Sequence, residues 1–306
     1  MKIIFMGTPS FAVPSLDILH QAGFDIVGVI TSVDKYGGRG RKTLIESDVK
    51  KYAQSKGLHI LQPTNLKSPK FQDELKALGA DIQIVVAFRM LPEKVWNMPP
   101  LGTYNLHGSL LPKYRGAAPI NWAIINGDKK TGVTSFKLKH AIDTGSILYQ
   151  KEIPIYPDDT AGDVHDRMMW VAAEVVYDSV VDIKDGKVKL KEQIESEVSH
   201  APKLNKENTK INLELSGEQI INHIRGLNPY PSAWTELDGK STQIYLADFE
   251  KINHNHSLGH IETNGKNILK IACSDGYLLI NELKMSGKKR MKTQVFLNGY
   301  QFKESS

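Results

Sequence analysis

At 306 residues, 24% charged and 41% hydrophobic, the chain has ordinary globular composition and exceeds the ~100–200 residues of one domain, so two domains are expected. A formal net charge of +5 permits an anionic partner without specifying one. One cysteine, Cys273, excludes an internal disulfide and any cysteine-cluster zinc or iron–sulfur site; no apolar run approaches the ~20 residues of a membrane span, and MKIIFMGTPS is broken too early for a signal peptide, so a soluble cytoplasmic protein is expected.

In chain order, KIIFMG (2–7) reads as a buried strand running into a turn, then a helix with Phe11, Val13, Leu16 and Leu19 on one face, then a second strand in DIVGVITS (25–32). Strand, helix, strand opens a doubly wound, mostly parallel α/β sheet. The first turn has Gly7 but no G-x-G-x-x-G, so the pyrophosphate cradle of a dinucleotide enzyme is missing. The glycine-rich loop 34–42, DKYGGRGRK, concentrates Lys35, Arg39, Arg41 and Lys42, a composition that suits a phosphate backbone and also an ordinary solvated loop. Helices follow at 44–57 and 68–79, with strands at LHILQP and IQIVVAF (82–88). The second of these strands is nearly continuous in apolar residues and belongs at the sheet centre.

TYNLH (103–107) is the fifth strand, cut short by Gly108, Pro112 and Gly116. Asn105 and His107, two residues apart, share one strand face. They lie at a carboxyl end, where open α/β sheets gather ligands. Strands at 132–140 and 146–155 are expected to present Asp143 at a hairpin tip, giving an amide, an imidazole and a carboxylate able to bind an oxyanion and move a proton. A helix over 160–182 carries one broad apolar face, with Trp170 expected in the core, and Cys273 in ILKIACS is expected to be packed. From about 185 the chain turns polar and reads as a linker. Short strands at 234–237, 242–248, 259–262, 268–272 and 277–284 suggest a small barrel, of which the five-stranded oligonucleotide-binding type is one candidate, ending in the basic cluster SGKKRMK (286–292). His254, His256 and His260 lie in a polar stretch and read as a solvated loop.

MGTPSFAVPSL, GGRGRK, NLHGSLLPKYRGAAPINWAIINGD, IDTG, LNPYPSAW and SGKKRM together resemble the bacterial methionyl-tRNA formyltransferases, within the wider family of 10-formyltetrahydrofolate-dependent formyltransferases. The resemblance covers nearly the whole chain. It implies a catalytic domain at 1–188, a linker at 189–205 and a tRNA-binding barrel at 206–306. It places the catalytic amide, imidazole and carboxylate at Asn105, His107 and Asp143, and the folate site at Ser109, Leu110, Leu111 and Pro112. It implies tRNA contacts at Arg39, Arg41, Lys42, Lys288, Lys289 and Arg290, with initiator methionyl-tRNA as acceptor. No metal is implied, nor any membrane partner, and a monomer is expected. The chain departs from the family's usual pattern at SVDKYGG, at Arg89 in AFRMLP and at His140 before the IDTG turn. Two other readings fit part of these residues: a formyltransferase acting on an amino sugar nucleotide, which has no need of paired basic elements, and a non-catalytic RNA-binding module, which leaves the Asn105, His107 and Asp143 set without purpose.

Overall fold

A computed structural model describes residues 1–37, 40 and 42–302. Two compact units divide the chain. The first comprises Met1–Pro119, Thr131–Ile153 and His165–His200, and the second Ile120–Lys130, Pro154–Val164 and Ala201–Ser306. The segment expected as a linker is shared between them, up to His200 with the first and from Ala201 with the second.

The first unit is built on a seven-stranded sheet of β1 (Lys2–Gly7), β2 (Asp25–Ile30), β3 (Ile60–Leu61), β4 (Ile82–Val86), β5 (Thr103–His107), β6 (Lys130–Lys137) and β7 (Ile147–Pro154), in the order β7-β6-β5-β4-β1-β2-β3. Strands β1 to β5 form the parallel part, pairing as β5-β4-β1-β2-β3, and β6 runs antiparallel to β5. This is the doubly wound arrangement the alternating pattern predicts, and IQIVV of β4 is buried at every position, as a two-sided central strand requires. Helices α1 (Val13–Gln21), α2 (Asp48–Ser55), α3 (Pro69–Ala77) and the short α4 (Glu93–Trp96) connect the parallel strands. Ser47 caps α2 by accepting from Lys50 N, satisfying an orphan amide of the first turn.

Later in the chain come α5 (Pro119–Ile125) and α6 (Ala161–Lys184). Along α6, Val164, Met168 and Ala172 are buried completely, but Trp170 is 59% exposed, contrary to the expectation of a core tryptophan. Two residues beyond Met168 the helix has turned by about 200°, so the indole falls on the opposite face.

The second unit carries a six-stranded sheet of β8 (Ala233–Leu237), β9 (Lys240–Lys251), β10 (Ile261–Thr263), β11 (Leu269–Cys273), β12 (Gly276–Met285) and β13 (Met291–Lys292). Its order is β8-β9-β12-β11-β10, with β13 on β12 and every pair antiparallel. Register shifts between Ile244 and Ala247 mark bulges in β9, which increase local twist and curl the sheet into a small barrel-like form. Helix α7 (Gly217–Leu227), opened by a Ser216/Gln219 capping box, presses Ile220, Ile224 and Leu227 onto the inner face of this sheet, and α8 (Thr293–Leu297) adds Phe296 and Leu297. Cys273 is buried in this core, as its apolar neighbours predict. Among the described residues no helix is long and apolar enough to cross a membrane.

Gly226 lets α7 meet α5 closely, since a Cβ there would lie 2.7 Å from Ile125 Cγ1 and 3.0 Å from its backbone nitrogen. Asn121 fastens the same contact by donating to Gly226 O at 2.7 Å. Gly226→Ala is therefore expected to destabilise the chain by about 1–3 kcal/mol through overpacking, despite alanine's better helix propensity. Urea denaturation followed by circular dichroism checks it; a variant as stable as the parent would contradict the close packing.

Candidate active site

The carboxyl end of β5 places His107 under the loop that follows it. Its ring is 6% exposed, and Nε2 lies 2.8 Å from Tyr114 O, a carbonyl that can only accept, so Nε2 carries a proton. Nδ1 lies on the other side, 3.8 Å from Asp143 Oδ2, beyond hydrogen-bonding distance. Asn105 stands two residues back on the same strand face, half-buried, and its amide makes no hydrogen bond among the described residues. His107 and Asp143 thus come together, with Asn105 two residues back on the same strand.

Asp143 does not occupy an exposed tip. It is 9% exposed, and Oδ2 accepts from Gly116 N at 2.9 Å, while its neighbour Ile142 takes the solvent position at 60% exposure. Of the nine residues between β6 and β7, Lys139 to Ile142 are exposed, while Asp143, Gly145 and Ser146 are folded inward. Gly145 permits this, because a Cβ there would lie 1.7 Å from Lys137 O. No side chain fits that approach of backbone to backbone.

Ser109, Leu110, Leu111 and Pro112 form the loop after β5. Ser109 Oγ donates to Lys113 O at 2.6 Å, Leu111 packs with Phe136 and Ile147, and Pro112 is buried behind a cis peptide bond. Thr134 Oγ1 donates to Ser109 O at 2.6 Å and accepts from Leu111 N at 3.0 Å, and Gln150 donates to Leu111 O at 2.7 Å. The side chains of Ser109 and Leu111 are thus occupied inside the protein, and the loop is pinned to β6 and β7.

Of the basic candidates, Arg39 and Arg41 lie outside the described residues. Lys42 and Lys289 are exposed and Lys288 half-buried, with Lys288 Nζ 5.7 Å from the Tyr300 ring centre. Arg290 is engaged. It donates from Nε and Nη2 to both Glu282 oxygens at 2.9 and 2.6 Å and lies 4.1 Å from the Tyr245 ring centre. The base of the 34–42 loop is fixed by Lys50, which bonds Asp34 and also reaches Glu46 at 2.6 Å. The Lys50 ammonium, helped by Gln62, holds the Asp34 carboxyl below its ordinary range. Arg89 is a clamp on the chain after β3, donating to the carbonyls of Pro63 and Thr64, and His140 is a surface residue 3.8 Å from Glu93.

The formyl transferase family model matches residues 1–180 and the model of its C-terminal domain matches 203–301. The methionyl-tRNA formyltransferase of Parabacteroides distasonis is 50% identical over 98% of this chain and 96% of its own length. That of Flavobacterium johnsoniae is also 50% identical, over 100% and 98%. The chain belongs to the methionyl-tRNA formyltransferase family. Solved structures of lower identity share its fold. An N-formyltransferase from Helicobacter canadensis, in complex with folinic acid and dTDP-3-aminofucose, superposes with TM-score 0.69 at 20% identity over 95% of this chain and 100% of that one. HypX from Aquifex aeolicus in complex with tetrahydrofolic acid gives TM-score 0.67 at 16% identity, over 97% and 47%.

One group in this family member escaped the sequence reading. Gln193, from the stretch read as a linker, donates from Nε2 to Asp143 O and Gly145 O, both at 2.8 Å. Its Oε1 accepts from Arg115 Nε and Nη2 at 3.0 and 2.8 Å, and Arg115 also pairs with Glu195. Lys191 bridges to Ile147 by paired backbone bonds, and Ser199 O accepts from Arg115 N at 2.9 Å. Residues 191–199 are therefore a strap across the Asp143 turn. Nothing in a run of charged and polar residues separates a strap from a free linker, because the partners lie about fifty to eighty positions away.

Gln193→Leu keeps the bulk and removes four hydrogen bonds, each worth roughly 0.5–1.5 kcal/mol. Residues 138–146 are expected to lose amide-exchange protection while β4 and β5 keep theirs, which hydrogen–deuterium exchange resolves. Gly145→Ala is expected to disturb the same segment more severely, since the neighbouring carbonyl has to move.

Proposed function

We propose that this chain transfers the formyl group of 10-formyltetrahydrofolate to the free amino group of methionine on initiator methionyl-tRNA, with Asn105, His107 and Asp143 as its catalytic groups. The observation that carries the reaction is the meeting of His107 Nδ1 and Asp143 Oδ2, 3.8 Å apart and almost wholly buried, at the end of the strand that also carries Asn105. The acceptor rests on the full-length likeness to methionyl-tRNA formyltransferases.

The amine attacks the formyl carbon, a tetrahedral oxyanion forms, and the bond to N10 of the folate breaks as that nitrogen is protonated. Because Nε2 is committed to Tyr114 O, Nδ1 is the imidazole nitrogen left for the substrate. A protonated Nδ1 and the Asn105 amide donate to the oxyanion, which gains strength as charge develops. Asp143 Oδ2 is held by Gly116 N, and Oδ1, with no hydrogen bond among the described residues, takes the proton lost by the amine. Ser109, Leu110, Leu111 and Pro112 shape the folate site through their backbone, since Ser109 and Leu111 turn their side chains inward. Residues 206–306 serve as the tRNA-binding domain, and one chain is the working unit. Lys42, Lys288 and Lys289, together with Arg39 and Arg41, meet the phosphates; Arg290, already paired, shapes that surface and gives less.

His107→Ala and Asn105→Ala should each keep the fold and lose about a hundredfold to a thousandfold in kcat, or ~2.7–4 kcal/mol, by analogy with other oxyanion donors. A fully active His107→Ala enzyme would refute the assignment. The acceptor is tested by supplying 10-formyltetrahydrofolate with either initiator methionyl-tRNA or an amino sugar nucleotide: formylation confined to the sugar sinks the acceptor reading, and no transfer to either favours a binding module. Affinity for methionyl-tRNA is expected to fall steeply with salt, and Lys289→Ala should flatten the log–log slope by roughly one unit per lost phosphate contact. Arg290→Ala should flatten it less.

A further inference from the structure

We propose that the second unit binds one divalent cation of the zinc class through His256, His260 and Glu262, at a site separate from the chemistry at β5. The local fold explains why these residues converge. His260 and Glu262 are two apart on an extended segment, so both side chains leave the same face. The backbone holds them there: Ala272 N donates to His260 O at 2.9 Å, and Glu262 sits opposite Lys270 in the β10–β11 ladder. His256 is brought over by a turn in which His260 N donates to Ser257 O at 3.0 Å and Gly259 takes φ +86°. The two imidazoles then stack, with centres 4.1 Å apart and planes 12° from parallel.

One ligand atom from each of the three residues lies within 4.8 Å of the others, and His256 Nε2 stands 3.4 Å from Glu262 Oε1. Bonds of ~2.0–2.1 Å in a tetrahedral zinc site place neighbouring ligands about 3.4 Å apart. Closing the set around a cation needs the stacked rings of His256 and His260 to turn out of parallel, so that their in-plane lone pairs converge. Two imidazoles and a carboxylate match zinc and its borderline neighbours rather than magnesium or calcium, and exposed His256 leaves a fourth position open to water.

An outer shell is already in place. Tyr277 donates to Glu262 Oε1 at 2.8 Å, orienting the carboxylate as the partners of metal ligands do. His254 backs the cluster, its ring 6.1 Å from His256 and 4.7 Å from Tyr277. Its Nε2 meets the carbonyls of Cys273 and Gly276 at 2.9 and 3.1 Å, so its proton is there, and buried Nδ1 is left without a hydrogen-bond donor among the described residues. The cation would staple the connection 252–260 to the barrel, stabilising the folded chain by linkage.

The test uses the full chain, free of any histidine tag and stripped with chelator, titrated calorimetrically with zinc sulfate. One zinc per chain is expected, with a rise in melting temperature. His256→Ala and Glu262→Gln should each weaken binding by more than the ~10–100-fold typical of an outer-shell loss, and Tyr277→Phe by about that amount. Formyl transfer at β5 should be unchanged in all three, which also shows that they fold. Absence of stoichiometric binding overturns the proposal, and so does binding that survives unchanged in His256→Ala and Glu262→Gln, because the cation then lies elsewhere.

Discussion

Burial of the Asp143 carboxylate is the constraint around which the catalytic end of the first unit is built. A charge with so little access to water is costly unless donors or opposite charge meet it. Gly116 N supplies one hydrogen bond and the His107 ring stands beside it. To bring the carboxylate there, the chain between β6 and β7 folds back on itself, with Asp143 at φ +54°, a left-handed conformation that aspartate tolerates better than most residues. The Gly145 contact with Lys137 and the amide of Gln193 then hold the fold-back closed. Aspartate, glycine and glutamine are thus parts of one device, although one of them lies about fifty residues downstream.

The same economy of partners separates the basic residues. A guanidinium that gives two hydrogen bonds to a carboxylate and covers a tyrosine ring has little left for a phosphate. An exposed lysine keeps its donors for whatever approaches. Charge counting along SGKKRM treats Lys288, Lys289 and Arg290 alike, whereas their surroundings do not. Arg89 is a similar case, spent on two carbonyls of a neighbouring turn.

Much of the architecture was legible because it follows from local rules. Continuous apolar runs marked β1, β2 and β4, and the i, i+2 spacing put Asn105 and His107 on one face of β5. The short strands after residue 230 declared an antiparallel unit. The failures share a cause. Trp170 was expected inside on the strength of its neighbours, but helical phase set it outside. Asp143 was expected at a tip because a turn sequence between strands says hairpin, and nothing local reports that the turn bends inward. The stretch after 185 read as a linker because polar composition is common to free chain and to a strap that satisfies another segment's carbonyls. The stretch with the three histidines near 256 read as a solvated loop, and residues 255–258 are exposed; what the reading could not give is that the turn at Gly259 and the β10–β11 ladder bring His256 and His260 near Glu262.

The amino-acid sequence by itself determined the fold class, the strand that carries the chemistry and the types of group at the site, since periodicity and residue chemistry are properties of short windows. Tertiary structure alone decided which nitrogen of His107 is free, which oxygen of Asp143 is held, and that Gln193 and Arg115 stand behind them. Those depend on hydrogen bonds whose partners lie 7 positions apart for His107 and Tyr114, 27 for Gly116 and Asp143, and 78 for Gln193 and Arg115. Distances of a few tenths of an ångström settle whether such bonds exist, and no short-range pattern encodes them.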